Sequence, residues 1–138
     1  MEMTVKLREK LGNTDTFTVG TSDIPRGTCV VLNSGVVDAS GANAAKFVGI
    51  TTETGYAGKD LRVAQGGSTI LALAANGSVA EGDWLLSDAD GKVITAAAAA
   101  QGTAQHFVGY ALRASSAEDQ LIPVVVWPVR VDNPTSGA

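Results

Sequence analysis

The chain has 138 residues, of which 45% are apolar and only 5% aromatic, and its net charge is −4. A chain of this length fits one domain that buries about two thirds of its unfolded surface on folding. The acidic balance disfavours nucleic acid as a direct partner. The opening residues lack a secretory signal, and no apolar run is long enough to cross a membrane. We therefore expect a protein that works in solution, without a nucleic-acid or membrane partner.

The N-terminal segment carries three basic residues that two acidic residues partly cancel. It is either a solvated surface or an arm that docks on a partner, with Val5 and Leu11 as candidate anchors. We assign residues 1–20 to this arm and the first strand.

Short runs rich in Val, Ile, Leu and Thr, separated by many of the 16 glycines, predict an all-β domain over residues 21–131. The predicted strands lie, in chain order, near residues 17–19, 29–32, 47–52, 61–64, 69–74, 84–86, 92–94, 107–112 and 121–131. The alanine-rich segment 95–101 is the one helical candidate, and it is too short to be stable alone. It should form one packed turn or a loop of small residues.

Glycine pairs and Asp-Gly or Asn-Gly steps mark the turns. Asp90-Gly91 stands between two apolar runs and predicts a tight hairpin, because this pair readily adopts positive φ. Gly66-Gly67 and Asn76-Gly77 mark the middle of the chain. The polar segment 132–138 has nothing to bury and is expected to be a disordered tail.

The chain repeats itself. Residues 24–64 and 79–126 show the same order of apolar runs and turns, in which Gly27 corresponds to Gly82 and Gly49 to Gly109. Such self-similarity indicates that one β module is used twice. The predicted fold is an internally duplicated small β-barrel or sandwich, with an extended N-terminal arm and at most one short helical turn.

An uncharged run near the C-terminus, residues 121–129, would promote aggregation if it were left on the surface. It is therefore either core or covered by another subunit, and Pro123 and Pro128 should limit free edge pairing. Trp84 and Trp127 hold much of the aromatic area. We favour the core for both, with a subunit interface as the alternative, and expect self-association.

The residues needed for catalysis or metal binding are sparse. His106 is the only histidine, and it is expected to face outward because Phe107 beside it should point inward. Cys29 is the only cysteine and is read as a buried small hydrophobe. The acidic residues of segment 88–91 suit a hairpin better than a calcium loop. We therefore predict no catalytic residue, no metal and no cofactor.

Several segments of the second half resemble the capsid decoration, or cement, proteins of tailed bacteriophages: 80–83, 85–88, 90–93, 109–112 and 121–126. The similarity covers about residues 24–127 and is carried by glycines and turns. It implies a homotrimer that binds the major capsid protein on the outer surface of an assembled phage head and stabilises contacts between capsid subunits. The protein would be made in the host cytoplasm and would reside in the virion.

The resemblance also gives the N-terminal arm a role, since an arm of this kind can add a strand to a capsid sheet or to a neighbouring decoration subunit. The residues expected to make this contact are Met3, Thr4, Val5, Lys6, Leu7, Arg8 and Leu11. Two alternatives remain open at this point. One is a head-fibre, tail or host-surface adhesin subunit, and the other is a hydrolase that uses Asp88, Asp90 or His106.

Overall fold

A computed structural model describes residue 9 and residues 11–97 and 102–132, which form ten β-strands in two antiparallel sheets. The first sheet contains β1 (Thr14–Thr18), β2 (Cys29–Asn33), β3 (Val36–Ala39), β4 (Phe47–Thr51) and β5 (Asp60–Ala64). The second sheet contains β6 (Thr69–Leu73), β7 (Trp84–Ser87), β8 (Val93–Thr95), β9 (Ala104–Ala111) and β10 (Leu121–Asp132). The two sheets pack together, so the predicted all-β fold is confirmed as a sandwich rather than a closed barrel.

The two sheets have the same internal order. The first runs β1-β5-β4-β2-β3 and the second β6-β10-β9-β7-β8, so each strand of the first sheet has an equivalent five strands later. This shared order confirms the internal duplication that the sequence predicts.

Individual hydrogen bonds repeat along with the strands. The Val19 N–H donates to the Lys59 carbonyl at 2.9 Å, and in the second sheet the Ala74 N–H donates to the Gln120 carbonyl at 2.9 Å. Each bond ties the end of the first strand of its sheet to the turn before the last strand. The equivalence of the sheets therefore extends to single residues.

Each sheet curls so that its two edge strands approach one another. Parallel bridges join Val19 to Val37 in the first sheet and Ala74 to Val93 in the second. An edge strand with such a neighbour presents fewer free backbone groups, which lowers the risk of edge-to-edge aggregation.

The buried apolar residues form two clusters. The smaller cluster lies inside the first sheet and contains Val19, Ile24, Val30, Val37, Leu61 and Val63. The larger cluster fills the second sheet and also includes three residues of the first, Cys29, Ile50 and Ala64. These three residues hold the sheets together, and the expectation that Cys29 is a buried small hydrophobe is confirmed.

The hairpin at Asp90-Gly91 forms as predicted. Gly91 has φ +79, and the Asp88 carboxylate accepts hydrogen bonds from the N–H groups of Asp90 at 2.9 Å and Lys92 at 2.8 Å. Asp88 thus caps the turn with its own side chain, a role that Asp fills in many turns.

Four features differ from the sequence-based elements or lie outside the described residues. The strand β3 is absent from the predicted set, although the hairpin at Gly35 that leads into it is recognisable. Of the helical candidate 95–101, Thr95 ends β8, Ala96 and Ala97 are irregular, and residues 98–101 lie outside the described residues. Asp132 is the last residue of β10 rather than part of the tail, and residues 133–138 also lie outside.

The strand β10 lies inside the second sheet, between β6 and β9, and not at its edge. The ladder with β9 begins at Val124, immediately after Pro123, whose missing N–H therefore interrupts no pair of that ladder. A bulge between Val126 and Val129 contains Pro128. The first half of β10 is buried core, whereas residues from Trp127 onward are mostly exposed.

Candidate interaction surface

An aromatic cluster lies on the outward face of the second sheet. Trp84 on β7 pairs directly with Tyr110 on β9, and their ring centroids are 5.3 Å apart in an edge-to-face arrangement. The ring centroids of Phe107 and Trp84 are 5.5 Å apart. Trp84 is nevertheless 42% exposed. Because the three rings hold one another in place, the cluster is a preformed apolar surface.

The cluster continues onto the second half of β10. Trp84, Phe107, Val129 and Val131 line a shallow, almost wholly apolar cavity of about 160 Å³. Phe107 and Val129 are paired across β9 and β10, so the apolar side chains form one strip that runs over three neighbouring strands. Exposed apolar patches of this kind mark interaction surfaces.

Three sequence-based placements of aromatic residues are wrong. Trp84 and Trp127, for which the core was favoured, are 42% and 53% exposed. Phe107 does not point into the core but packs on the outward-facing Trp84. For Phe107 the cause is the bulge between Val126 and Val129, which shifts the register of β10 against β9 and breaks the simple alternation of inward and outward side chains. Trp84 instead occupies an outward position of β7, where burial alternates regularly. His106 is half-buried, and its backbone N–H donates to Asn43 Oδ1 at 2.7 Å.

The described start of the chain is anchored at the edge of β6. One Glu9 carboxylate oxygen accepts from Arg26 Nη2 at 2.6 Å, and the other accepts from the Leu71 N–H at 3.1 Å. Further along, Ser68 Oγ accepts from the Asn13 N–H at 3.1 Å and donates to the Asn13 carbonyl at 3.0 Å. These contacts fix the point from which the N-terminal residues depart.

Among the residues expected to contact a capsid, only Leu11 lies in the described part of the chain, and it is 41% exposed. The others, Met3, Thr4, Val5, Lys6, Leu7 and Arg8, lie outside it. The structure therefore does not bring the N-terminal residues and the two tryptophans into one described site.

The charged groups near the aromatic cluster stabilise turns. Asp83 accepts hydrogen bonds from the Ala80 N–H at 2.9 Å and from the Thr95 hydroxyl at 2.8 Å, and these two bonds lower the pKa of its carboxyl. The Lys92 ammonium lies 2.6 Å from Asp119, whose hydrogen bond raises the pKa of the lysine.

Chemically reactive groups do not converge in the described ranges. Burial raises the pKa of the Cys29 thiol, which keeps it protonated and unreactive. No group of three or more His, Cys, Asp or Glu side chains within residues 9–132, apart from the gaps, is arranged to hold a metal ion. In the same residues, no helix has the length and apolarity needed to span a membrane.

The sequence contains a signal for the aromatic cluster, but only when the two sheets are aligned. Trp84 and Tyr110 occupy the positions of Cys29 and Ile50 in the first sheet, where both residues are buried. A large aromatic residue that replaces a small core residue at an equivalent position indicates a different environment. The repeat alone predicts that equivalent positions are equally buried, and only the tertiary packing shows that their burial differs.

Comparison with known proteins shows similarity to a family of structural proteins. A family model described as phage cement protein matches residues 10–126 of the chain. A search of curated proteins finds no match.

Proposed function

Since the chain belongs to the phage cement protein family, we propose that it binds the outer surface of an assembled phage head as a homotrimer and stabilises contacts between major capsid subunits. The observation that carries this proposal is the exposed aromatic strip, combined with the lack of converging catalytic groups in the described residues. We propose no catalytic role and no direct contact with nucleic acid. A trimer that grips several capsid subunits at once gains affinity through effective concentration.

Self-association requires a surface that is apolar and rigid, and the second sheet offers one. Trp84 is fixed by Phe107 and Tyr110, so little side-chain entropy is lost when a partner covers it. Aromatic residues are also enriched in the buried centres of interfaces. We propose Trp84 and Trp127 as subunit-interface residues.

The N-terminal residues are the proposed capsid contact. Apolar and polar side chains alternate from Met1 to Arg8, with Met3, Val5 and Leu7 on the apolar side, which is typical of a half-buried strand. The Glu9 contacts fix the residue that follows this segment next to the β6 edge. Such an arm, from Met3 to Leu11, can add a strand to a capsid sheet through main-chain hydrogen bonds.

The adhesin alternative depends on a ligand pocket among the exposed aromatic residues. The cavity at Trp84 holds about 160 Å³, whereas small-molecule sites usually occupy about 300–1,000 Å³. A flat aromatic strip suits a protein partner better than a sugar. Binding on a glycan array, with no binding to heads, would favour the adhesin function.

The test is co-sedimentation of the purified protein with undecorated heads, together with its solution mass by light scattering. We expect a trimer that saturates the heads at a fixed ratio to capsid subunits. Protein that remains in the supernatant at every head concentration would contradict the proposal.

Removal of residues 1–8 tests the arm. We expect the truncated chain to keep its trimeric mass and lose head binding. A truncated trimer that still saturates heads would rule out the arm as the capsid contact while leaving the decoration function in place.

A further inference from the structure

The two sheets contribute different faces to their contact within the chain, since the first sheet uses its outer face and the second its interior. Three residues on the outward face of the first sheet, which we call the first outer row, are Cys29, Ile50 and Ala64. They are paired side by side across β2, β4 and β5 and are fully buried. All three belong to the core cluster of the second sheet. The outer row of one sheet thus packs against the interior of the next.

The equivalent residues of the second sheet have no such cover in the described chain. This second outer row, Trp84, Tyr110 and Val125, is paired across β7, β9 and β10 in the same manner. Trp84 is exposed, and the other two are half-buried. Phe47, beside the first row, and its equivalent Phe107 are both half-buried, but Phe47 packs on the large core cluster whereas Phe107 packs on Trp84.

The receiving side of the junction shows the reverse asymmetry. In the second sheet, the fully buried residues of the large core cluster include Ile70 and Ala72 on β6, Val108 on β9 and Val126 on β10. Their equivalents in the first sheet, which we call the open margin, are Asp15, Phe17, Val48 and Gln65. Asp15 is exposed and the other three are half-buried. Phe17 packs with one side on the small core cluster of the first sheet. Within the described residues, both halves of the internal junction therefore recur as partly exposed surfaces at opposite ends of the duplicated fold.

We propose that the second outer row of one chain packs against the open margin of a second copy of this chain, repeating between chains the junction that joins the sheets within a chain. The inference deepens the self-association in the proposed function and rests on it. Such a contact is head-to-tail, and a head-to-tail contact forms a closed ring when its rotation closes. Three chains then present six equivalent sheets in one ring.

The chemistry of the two surfaces is complementary. The second outer row carries Tyr110 where the first carries Ile50, and a buried tyrosine hydroxyl needs a hydrogen-bond partner. The open margin supplies acceptors at Asp15 and Gln65, where the second sheet has only apolar Ile70 and Val126. Among the equivalent positions compared, polar side chains therefore occur in both the second outer row and the open margin, whereas the first outer row and its counterparts in the second sheet are apolar.

The experiment uses one variant for each half of the contact in the full-length chain. Trp84→Lys disables the outer row and leaves the margin intact, and Val48→Asp does the opposite. Tyr56→Lys, at an exposed aromatic residue outside both surfaces, is the matched control. Masses are measured by analytical ultracentrifugation, and folding is verified by circular dichroism. If Val48→Asp does not fold, Asp15→Arg at the exposed part of the margin replaces it.

We expect the wild-type protein and the Tyr56 variant to be trimers, and each surface variant alone to be a monomer. An equimolar mixture of the two surface variants should form a dimer and nothing larger, because one intact outer row meets one intact margin. A Trp84→Lys protein that remains trimeric, or a mixture that remains monomeric, would overturn the inference, as would a monomeric wild-type protein. Co-sedimentation with heads, measured separately, reports whether the cement function itself holds.

Discussion

Replacing Ile50 with alanine should lower the free energy of unfolding more than an exposed substitution that removes the same number of atoms. Ile50 is fully buried, and it lies in the first outer row, where it contacts the core cluster of the second sheet. The change removes three carbon atoms from this junction. Leu32→Ala removes as many atoms from a side chain that is 43% exposed, and it serves as the matched control.

The expected magnitude follows from burial. The three lost carbons account for about 2.4 kcal/mol at about 0.8 kcal/mol each, and the cavity left behind brings the loss to about 3–4 kcal/mol. The entropy of unfolding for a chain of this length is about 0.3 kcal/mol/K, so the melting temperature should fall by about 10–14 °C. The control should change the free energy of unfolding by less than about 0.5 kcal/mol.

Urea unfolding followed by far-UV circular dichroism measures both variants at one protein concentration, because self-association makes stability depend on concentration. We expect the midpoint for Ile50→Ala to fall while the m-value stays constant. Equal midpoints for Ile50→Ala and Leu32→Ala would refute the burial of this row between the sheets.

Three further changes test local features. Gly91→Ala places a Cβ 2.7 Å from the nearest side-chain carbon, at φ +79. Gly35 has a similar φ of +87 but lies in an open site, so Gly35→Ala carries only the conformational cost of about 1–2 kcal/mol, and the melting temperature of Gly91→Ala should be clearly lower. Equal losses in the two variants would exclude the clash. Ser68→Ala leaves the Asn13 N–H without its partner, while the Asn13 carbonyl still accepts from the Gln65 N–H at 2.8 Å, so the change should cost about 1 kcal/mol in a urea titration, with accelerated amide exchange at Asn13 as the second readout. The Asp83 carboxyl has a lowered pKa in the folded protein, so it stabilises the fold at pH values above 3.8, its pKa in the unfolded chain. This stabilisation is lost as the pH falls through the lower pKa of the folded protein. A difference in melting temperature between wild type and Asp83→Asn that persists below that pKa would contradict the prediction.

The repeat made much of the fold predictable. Nine of the strands follow from short apolar runs between glycine turns, and the Asp90-Gly91 hairpin follows from the conformational freedom of that pair. The sequence does not predict the strand β3, because Val36–Ala39 is short and contains Asp38, so its composition alone does not indicate a strand. Its pairing with β2 is a long-range consequence of the hairpin at Gly35.

The candidate interaction surface was less predictable than the fold. The sequence indicates Trp84 and Trp127 as interface candidates but favours the core for both, because large aromatic residues are usually well buried. Simple alternation predicts that Phe107 points inward, but this alternation holds only for a regular strand. The bulge in β10 shifts the register, and no local signal gave its position in advance.

The sequence by itself determined the β character, the turns and the use of one module twice, because these depend on local propensity and on self-similarity along the chain. Only the tertiary structure decided which outer row is covered. Cys29 and Trp84 occupy equivalent positions, but the first sheet has the second sheet against it, whereas no further sheet of the described residues covers the second. Burial depends on which surfaces meet in space, so a repeated sequence pattern does not predict which of two equivalent surfaces is covered.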